Sequence, residues 1–125
     1  MSRSICLVVD DEPLVRSFLK LLLQRENMQV LEAESAAQAS DVIAKLDGCV
    51  QLLITDIEMP GEQNGLQLAD LIRDSYPAIA ILVISGYRPD DFRHSGRTFE
   101  FMRKPFSARA LLDTAERLLR ERNVT

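Results

Sequence analysis

The chain has 125 residues, 46% of them hydrophobic and 27% charged, with a formal net charge of −4. This is the size and make-up of one domain, residues 1–125, with a single core, and it excludes a disordered chain. No apolar stretch approaches the roughly 20 residues of a membrane span, and the net negative charge argues against nucleic acid as a direct partner.

The charge is uneven. Residues 1–83 carry 6 basic and 13 acidic side chains, whereas residues 84–125 carry 9 basic and 6 acidic. The basic portion reads as the solvated side of the last helix and the loop before it. Met1–Ser4 leads straight into an apolar run too short for a signal peptide, so a cytoplasmic location is expected. Cys6 and Cys49 lie in or beside apolar segments and read as small buried hydrophobes. With no CxxC spacing and a single histidine, His94, a zinc site is poorly supported.

Short apolar runs alternate with helical patterns, which predicts βαβ units on a parallel sheet. The first run is Ile5–Val9. In the helix after it, Pro13 sits in the first turn, where a missing N–H costs nothing. Leu14, Val15, Phe18, Leu19, Leu22 and Leu23 recur at helical spacing and predict its buried stripe. The second run is Met28–Leu31. Ser35 to Gln38 reads as a capping box opening a second helix. Ala39, Val42, Ile43 and Leu46 face inward there, and Gly48 is placed to end the helix in a left-handed turn.

The third run is Leu52–Thr55. Gly65 to Ser75 is the third helix, with Leu68, Leu71 and Ile72 inward, stopped before Pro77. The fourth run, Ile79–Ile84, is apolar throughout, as a central parallel strand buried on both faces requires. Tyr87–Thr98 contains Pro89, Gly96 and several charges, and predicts at most a short or irregular helix. Phe99–Arg103 is the fifth run. Ser107 then caps a last helix with Ala108, Leu111, Leu112, Ala115, Leu118 and Leu119 inward. Five strands and about five helices predict a three-layer α/β/α sandwich. Right-handed crossovers restrict its topology strongly.

The polar residues that follow these runs carry the chemistry. Asp10, Asp11 and Glu12 follow the first run, Asp56 the third, Ser85-Gly86 the fourth, and Lys104-Pro105 the fifth. In open parallel sheets the C-terminal strand ends form one ligand-binding edge. Taken singly, each has a plain reading: the acids favour a helix N-terminus, Asp56 and Lys104-Pro105 make turns. Taken together, they bring three carboxylates close enough to repel one another. A hard divalent ion, Mg²⁺, relieves that conflict with carboxylate, carbonyl and water ligands. An aspartate can then attack phosphorus and form an acyl phosphate. The metal, Lys104 and the Ser85 hydroxyl would each contact a phosphoryl oxygen.

Val8-Val9-Asp10-Asp11-Glu12-Pro13, Thr55-Asp56-Ile57-Glu58-Met59-Pro60 with Gly65 following, Ile84-Ser85-Gly86 and Lys104-Pro105-Phe106 together resemble the receiver domain of two-component response regulators. The resemblance covers essentially the whole chain. It implies a flavodoxin-like five-stranded parallel sheet of order 2-1-3-4-5. By motif position it implies Asp56 as phosphoacceptor. Asp11 and Asp56 become direct Mg²⁺ ligands, Asp10 acts mostly through water, and the Glu58 backbone carbonyl is a further ligand. Ser85 and Lys104 complete the catalytic set, with Ser85 and Phe101 as the switch pair. Pro105 resembles a proline that commonly follows a cis peptide bond. Glu58 and Tyr87, two positions after Asp56 and Ser85, are expected to tune the lifetime of the phosphoryl group.

The resemblance further implies a signalling receiver, not a conventional enzyme, that catalyses only its own phosphorylation and dephosphorylation. Its partners would be a histidine kinase or histidine phosphotransfer protein and an effector protein the residues do not identify; a homodimer is compatible with it. Two features depart from the commonest pattern. The Gly61–Asn64 loop is one residue longer, as in receivers attached to hybrid histidine kinases, and the Ser85–Lys104 segment is shorter. Phe101 also replaces the more frequent tyrosine. Rival readings fit less well. A flavin or nucleotide binder needs a phosphate cradle where Asp10, Asp11 and Glu12 stand. An aspartyl phosphatase wants an aspartate where Glu58 stands, and a purely protein-binding pseudo-receiver has no use for the full set of acids, hydroxyl and lysine. Whether the chain works alone or within a longer protein stays open.

Overall fold

Strict alternation along the apolar runs sorts their side chains onto two faces of a sheet. The computed structural model, which describes residues 3–86 and 99–123, shows what covers each face. Its elements are β1 (Ile5–Val9), α1 (Pro13–Arg25), β2 (Gln29–Ala33), α2 (Ala36–Lys45), β3 (Leu52–Asp56), α3 (Gly65–Ser75), β4 (Ala80–Ser85), β5 (Glu100–Arg103) and α4 (Ala108–Asn123). The strands form one parallel sheet in the order β2-β1-β3-β4-β5. This is the expected flavodoxin-like three-layer architecture. Leu7, Val9, Leu53, Ile81 and Val83 pack with α2 and α3 on one face. Cys6, Val8, Leu52, Ile54, Leu82 and Ile84 pack with α1 and α4 on the other. Each fully buried leucine or isoleucine there contributes roughly 1.5–3 kcal/mol, and the central strands β3 and β4 are buried along their whole length.

Strand bounds differ slightly from expectation. β2 runs on to Ala33 because Glu32 and Ala33 continue the ladder opposite Val8 and Val9. Four helices occur among the described residues; the short helix expected within Tyr87–Thr98, and Tyr87 itself, lie outside them. Among the described residues no helix is long and apolar enough to cross a membrane.

Several side chains sit elsewhere than periodicity predicts. Leu14 and Phe18 are 85% and 45% exposed. These residues line an open depression with Pro105 and Phe106 instead; the Phe18 and Phe106 ring centroids are 6.2 Å apart. Leu71 is exposed because Leu68, Ala69 and Ile72 already fill the inward face of α3. Cys6 is buried as expected, but Cys49 is exposed. It follows Gly48, whose positive φ of 75° carries the chain outward between α2 and β3. A side chain at Gly48 would also run into the Tyr76 ring.

The helix ends follow local chemistry. Ser35 Oγ accepts from Gln38 N–H, but the Gln38 side chain returns to Glu34 N–H and not to Ser35, so this box is displaced by one residue. The complete capping box belongs to α3, where Asn64 and Gln67 bond each other's backbone N–H reciprocally. Ser107 Oγ accepts from Ala110 N–H at the start of α4.

Candidate functional site

Parallel strands all deliver their C-termini to one edge, and here four of them deliver polar residues. Asp10 and Asp11 follow β1, Asp56 ends β3, Ser85 ends β4 and Lys104 follows β5. Backbone bonds continue the sheet through these positions. Asp10 N–H donates to Ala33 O at 3.1 Å, Ile57 N–H to Ile84 O at 2.9 Å, and Lys104 N–H to Ser85 O at 2.8 Å. The strand ends are therefore held in register and do not fray into loops. α3 closes the floor: Gly65 N–H donates to Ile57 O at 2.8 Å, and a Cβ at Gly65 would overlap the Asp56 carbonyl. That close approach is what requires glycine there.

Oxygens of Asp10, Asp11 and Asp56 all lie within 4.8 Å of one another. Lys104 Nζ reaches Asp10 Oδ2 at 3.1 Å and Asp56 Oδ1 at 3.6 Å. The Asp10 carboxylate also accepts from Glu12 N–H at 2.9 Å, so Asp10 is committed on both oxygens, while Asp11 is exposed at the mouth. The Lys104–Asp10 bond links positions 94 residues apart in the chain.

Electrostatics follow from this crowding. Burial pushes the Asp56 carboxyl from its ordinary 3.8 up to about 6; Lys104 and the Ile57 N–H work against the rise, and Asp10 and Asp11 add to it. For Lys104 burial is the largest influence and lowers its proton affinity. The Asp10 hydrogen bond and the attraction of Asp56, Asp10 and Glu12 outweigh it, so the ammonium is held above its ordinary range. A second cation would suit this site. Three hard oxygen donors gather within 4.8 Å of one another, close to the roughly 4 Å that separates opposite ligands of an octahedral ion, and one lysine leaves their charge unbalanced. The donor set fits Mg²⁺.

The remaining expected residues divide. Ser85 is fully buried. Val83 lies opposite Phe101 and Ser85 opposite Arg103, so Ser85 and Phe101 are diagonal neighbours on the same face of adjacent strands. Glu58 is exposed beside the site; its side chain does not join the carboxylate cluster. Two contributors were not anticipated. Thr55 Oγ1, buried, donates to the Asp56 carbonyl at 2.9 Å. Arg16 Nη1 donates to the Asp10 carbonyl at 2.7 Å. One of several polar residues on the first helix, Arg16 carried no signal in its spacing; Thr55 stood inside a motif and read only as the end of a strand.

Comparison with known proteins agrees with this geometry. A family profile described as the response regulator receiver domain matches residues 6–116. The sensor kinase CckA of Brucella abortus is 32% identical over 94% of this chain and 13% of that protein. The transcriptional regulatory protein ResD of Bacillus subtilis is 34% identical over 95% of this chain and 49% of its own length. The chain thus spans less than half the length of these curated relatives. Among solved structures, the response regulator protein TrrA of Thermotoga maritima, in complex with Mg²⁺-BeF, superposes with a TM-score of 0.79. It is 34% identical, with 92% of this chain and 98% of that one covered.

Proposed function

The chain belongs to the response regulator receiver family of two-component signalling, and within that role we propose that Asp56 is its phosphoacceptor. The observation that carries this is the meeting of Asp10, Asp11 and Asp56 within 4.8 Å beside Lys104. Asp56 presents its carboxylate as the nucleophile toward a phosphorus atom; a bond forms from a carboxylate oxygen to phosphorus as the donor's P–N or P–O bond breaks. A carboxyl titrating at about 6 is mostly ionised at neutral pH, as a nucleophile must be. Asp10, Asp11, Asp56 and the Glu58 carbonyl would hold Mg²⁺, which when bound supplies charge neutralisation to the phosphoryl oxygens.

Lys104, already shared between Asp10 and Asp56, neutralises a phosphoryl oxygen from the other side and keeps Asp56 oriented. Ser85 donates its hydroxyl to a third oxygen. That movement vacates space on the face it shares with Phe101, whose ring then turns inward, biasing an existing two-state equilibrium. Glu58 and Tyr87 steer or block the hydrolytic water and set the phosphoryl lifetime. The phosphodonor is a histidine kinase or histidine phosphotransfer protein in the cytoplasm. Its imidazole must approach Asp56, so it covers the adjoining apolar depression of Leu14, Val15, Phe18, Pro105 and Phe106, about 330 Å³ in volume.

Phosphotransfer with Mg²⁺ from a labelled donor tests the assignment. Wild-type chain takes up label and Asp56→Ala does not; equal labelling of Asp56→Ala rules Asp56 out. Substituting Glu58 and Tyr87 together changes the phosphoryl half-life severalfold, and an unchanged half-life removes their assigned role.

A further inference from the structure

Arg16 has a place in the fold that the phosphoacceptor chemistry does not by itself require. It lies on the second turn of α1 with its side chain 16% exposed. One arm, Nη1, donates to the Asp10 carbonyl at 2.7 Å. The other, Nε, donates to Glu32 Oε1 on β2 at 3.2 Å. Glu32 is held in turn by Lys20, whose Nζ is 3.5 Å from Oε2. Glu32 therefore neutralises the guanidinium locally, and what Arg16 delivers to the site is direction more than charge.

The oxygen it holds is well chosen. The Asp10 carbonyl belongs to the peptide that joins Asp10 to Asp11, and that peptide is a rigid plane. Fixing its oxygen sets the orientation from which both side chains leave. Asp10 is 2% exposed, so without Arg16 this carbonyl would need another donor at a buried position. The other end of Asp10 is held by Ala33 O, and its carboxylate by Glu12 N–H and Lys104. The hold on Asp10 thus comes from four directions, and Asp11, exposed and next in the chain, inherits its direction from the same plane.

We propose that Arg16 is a positioning residue for the acidic site: by hydrogen-bonding the Asp10 carbonyl it fixes the Asp10–Asp11 peptide so that both carboxylates face Asp56. The proposal rests on the reading of that site as a Mg²⁺ site. Groups one step removed from a metal typically change its affinity by about 10- to 100-fold when lost, and an exposed ligand such as Asp11 places the expectation at the lower end.

Calorimetric Mg²⁺ titration of the chain tests it, with amide NMR of the metal-free protein as a second reading. Arg16→Met is expected to bind Mg²⁺ about tenfold more weakly and to move the Asp11 amide resonance before any metal is added. Arg16→Lys keeps the charge, but one ammonium cannot serve carbonyl and carboxylate in the guanidinium's fork; about threefold weaker binding is expected. Glu32→Gln breaks the ion pair and leaves the Asp10 bond, so its affinity stays within about twofold of wild type. Wild-type affinity in Arg16→Met overturns the proposal, as does wild-type affinity in Arg16→Lys should Arg16→Met not fold. Equal losses in Glu32→Gln and Arg16→Met would make the ion pair the cause and overturn it too. A wild-type chain that binds no Mg²⁺ overturns the acidic-site reading, and this proposal falls with it; wild-type binding that Arg16→Met leaves unaltered overturns this proposal alone.

Discussion

Asp56 is held at a cost to stability that a single isosteric substitution should release. The carboxyl titrates at about 6 in the folded chain against an ordinary 3.8, and only 7% of the residue is exposed. Because the folded-state value is raised, the folded chain binds this proton more tightly than the unfolded chain does. Stability from this group is therefore present at low pH, is lost as pH rises from about 4 to about 6, and is flat above that. At about 1.4 kcal/mol per pH unit, the metal-free wild type forfeits about 3 kcal/mol at pH 7.5 and about 1 kcal/mol at pH 4.5. Asp56→Asn keeps the shape and removes the ionisation. In chelator it should be more stable than wild type by about these amounts, which at pH 7.5 corresponds to about 10 °C in Tm for a chain of this size. Saturating Mg²⁺ should stabilise wild type and close much of the gap, because a bound cation favours the ionised form. Urea unfolding of both proteins at the two pH values measures this. A gap that does not change with pH, or a variant less stable than wild type at pH 7.5, would refute the account of Asp56 as a carboxylate whose ionised form is disfavoured chiefly by burial.

Lys104→Met leaves the Asp10 carboxylate, 3% exposed, without its cation; a loss of about 1–3 kcal/mol in urea unfolding is expected, with phosphotransfer slowed at least about tenfold for want of the second charge on the phosphoryl group. Gly65→Ala drives a methyl group into the Asp56 carbonyl, and the chain should lose about 2–4 kcal/mol, read by thermal unfolding. Leu14→Glu alters an 85% exposed side chain, so stability should stay within about 0.5 kcal/mol. Phosphotransfer from a histidine-containing protein should nevertheless fall, while phosphorylation by a small phosphodonor is unchanged; equal effects on both donors would remove the depression from the docking surface.

Much of this molecule was legible along the chain. Short, continuously apolar runs such as Leu52–Thr55 and Ile79–Ile84, alternating with helical patterns, point to buried parallel strands, and Pro13, Gly48 and Ser107 mark helix ends through constraints that act within a few residues. The order of Asp10-Asp11, Asp56, Ser85 and Lys104 behind successive strands was enough to bring them to one edge, because parallel strands share a direction. The Asn64–Gln67 capping box is a local signal of the same kind, an N-cap amide with a glutamine three residues on.

What lay beyond the sequence depends on neighbours that are distant in the chain. Helical spacing says that Leu14 and Phe18 share a face with buried residues and places Leu71 beside one; it does not say which of them find a neighbour to cover them. Nor can it announce that Arg16 reaches back to the Asp10 carbonyl and across to Glu32, since the bonds depend on how α1 sits against the end of β1 and against β2. The proton affinity of Asp56 is of the same kind. Residue identities establish that three acids and a lysine are available, whereas burial and separation decide how strongly they interact, and Coulomb energies and desolvation depend on those quantities alone. The sequence determined which chemical groups would gather at the sheet's edge; only the tertiary structure decided how near they stand, how dry the site is, and which side chains hold them in place.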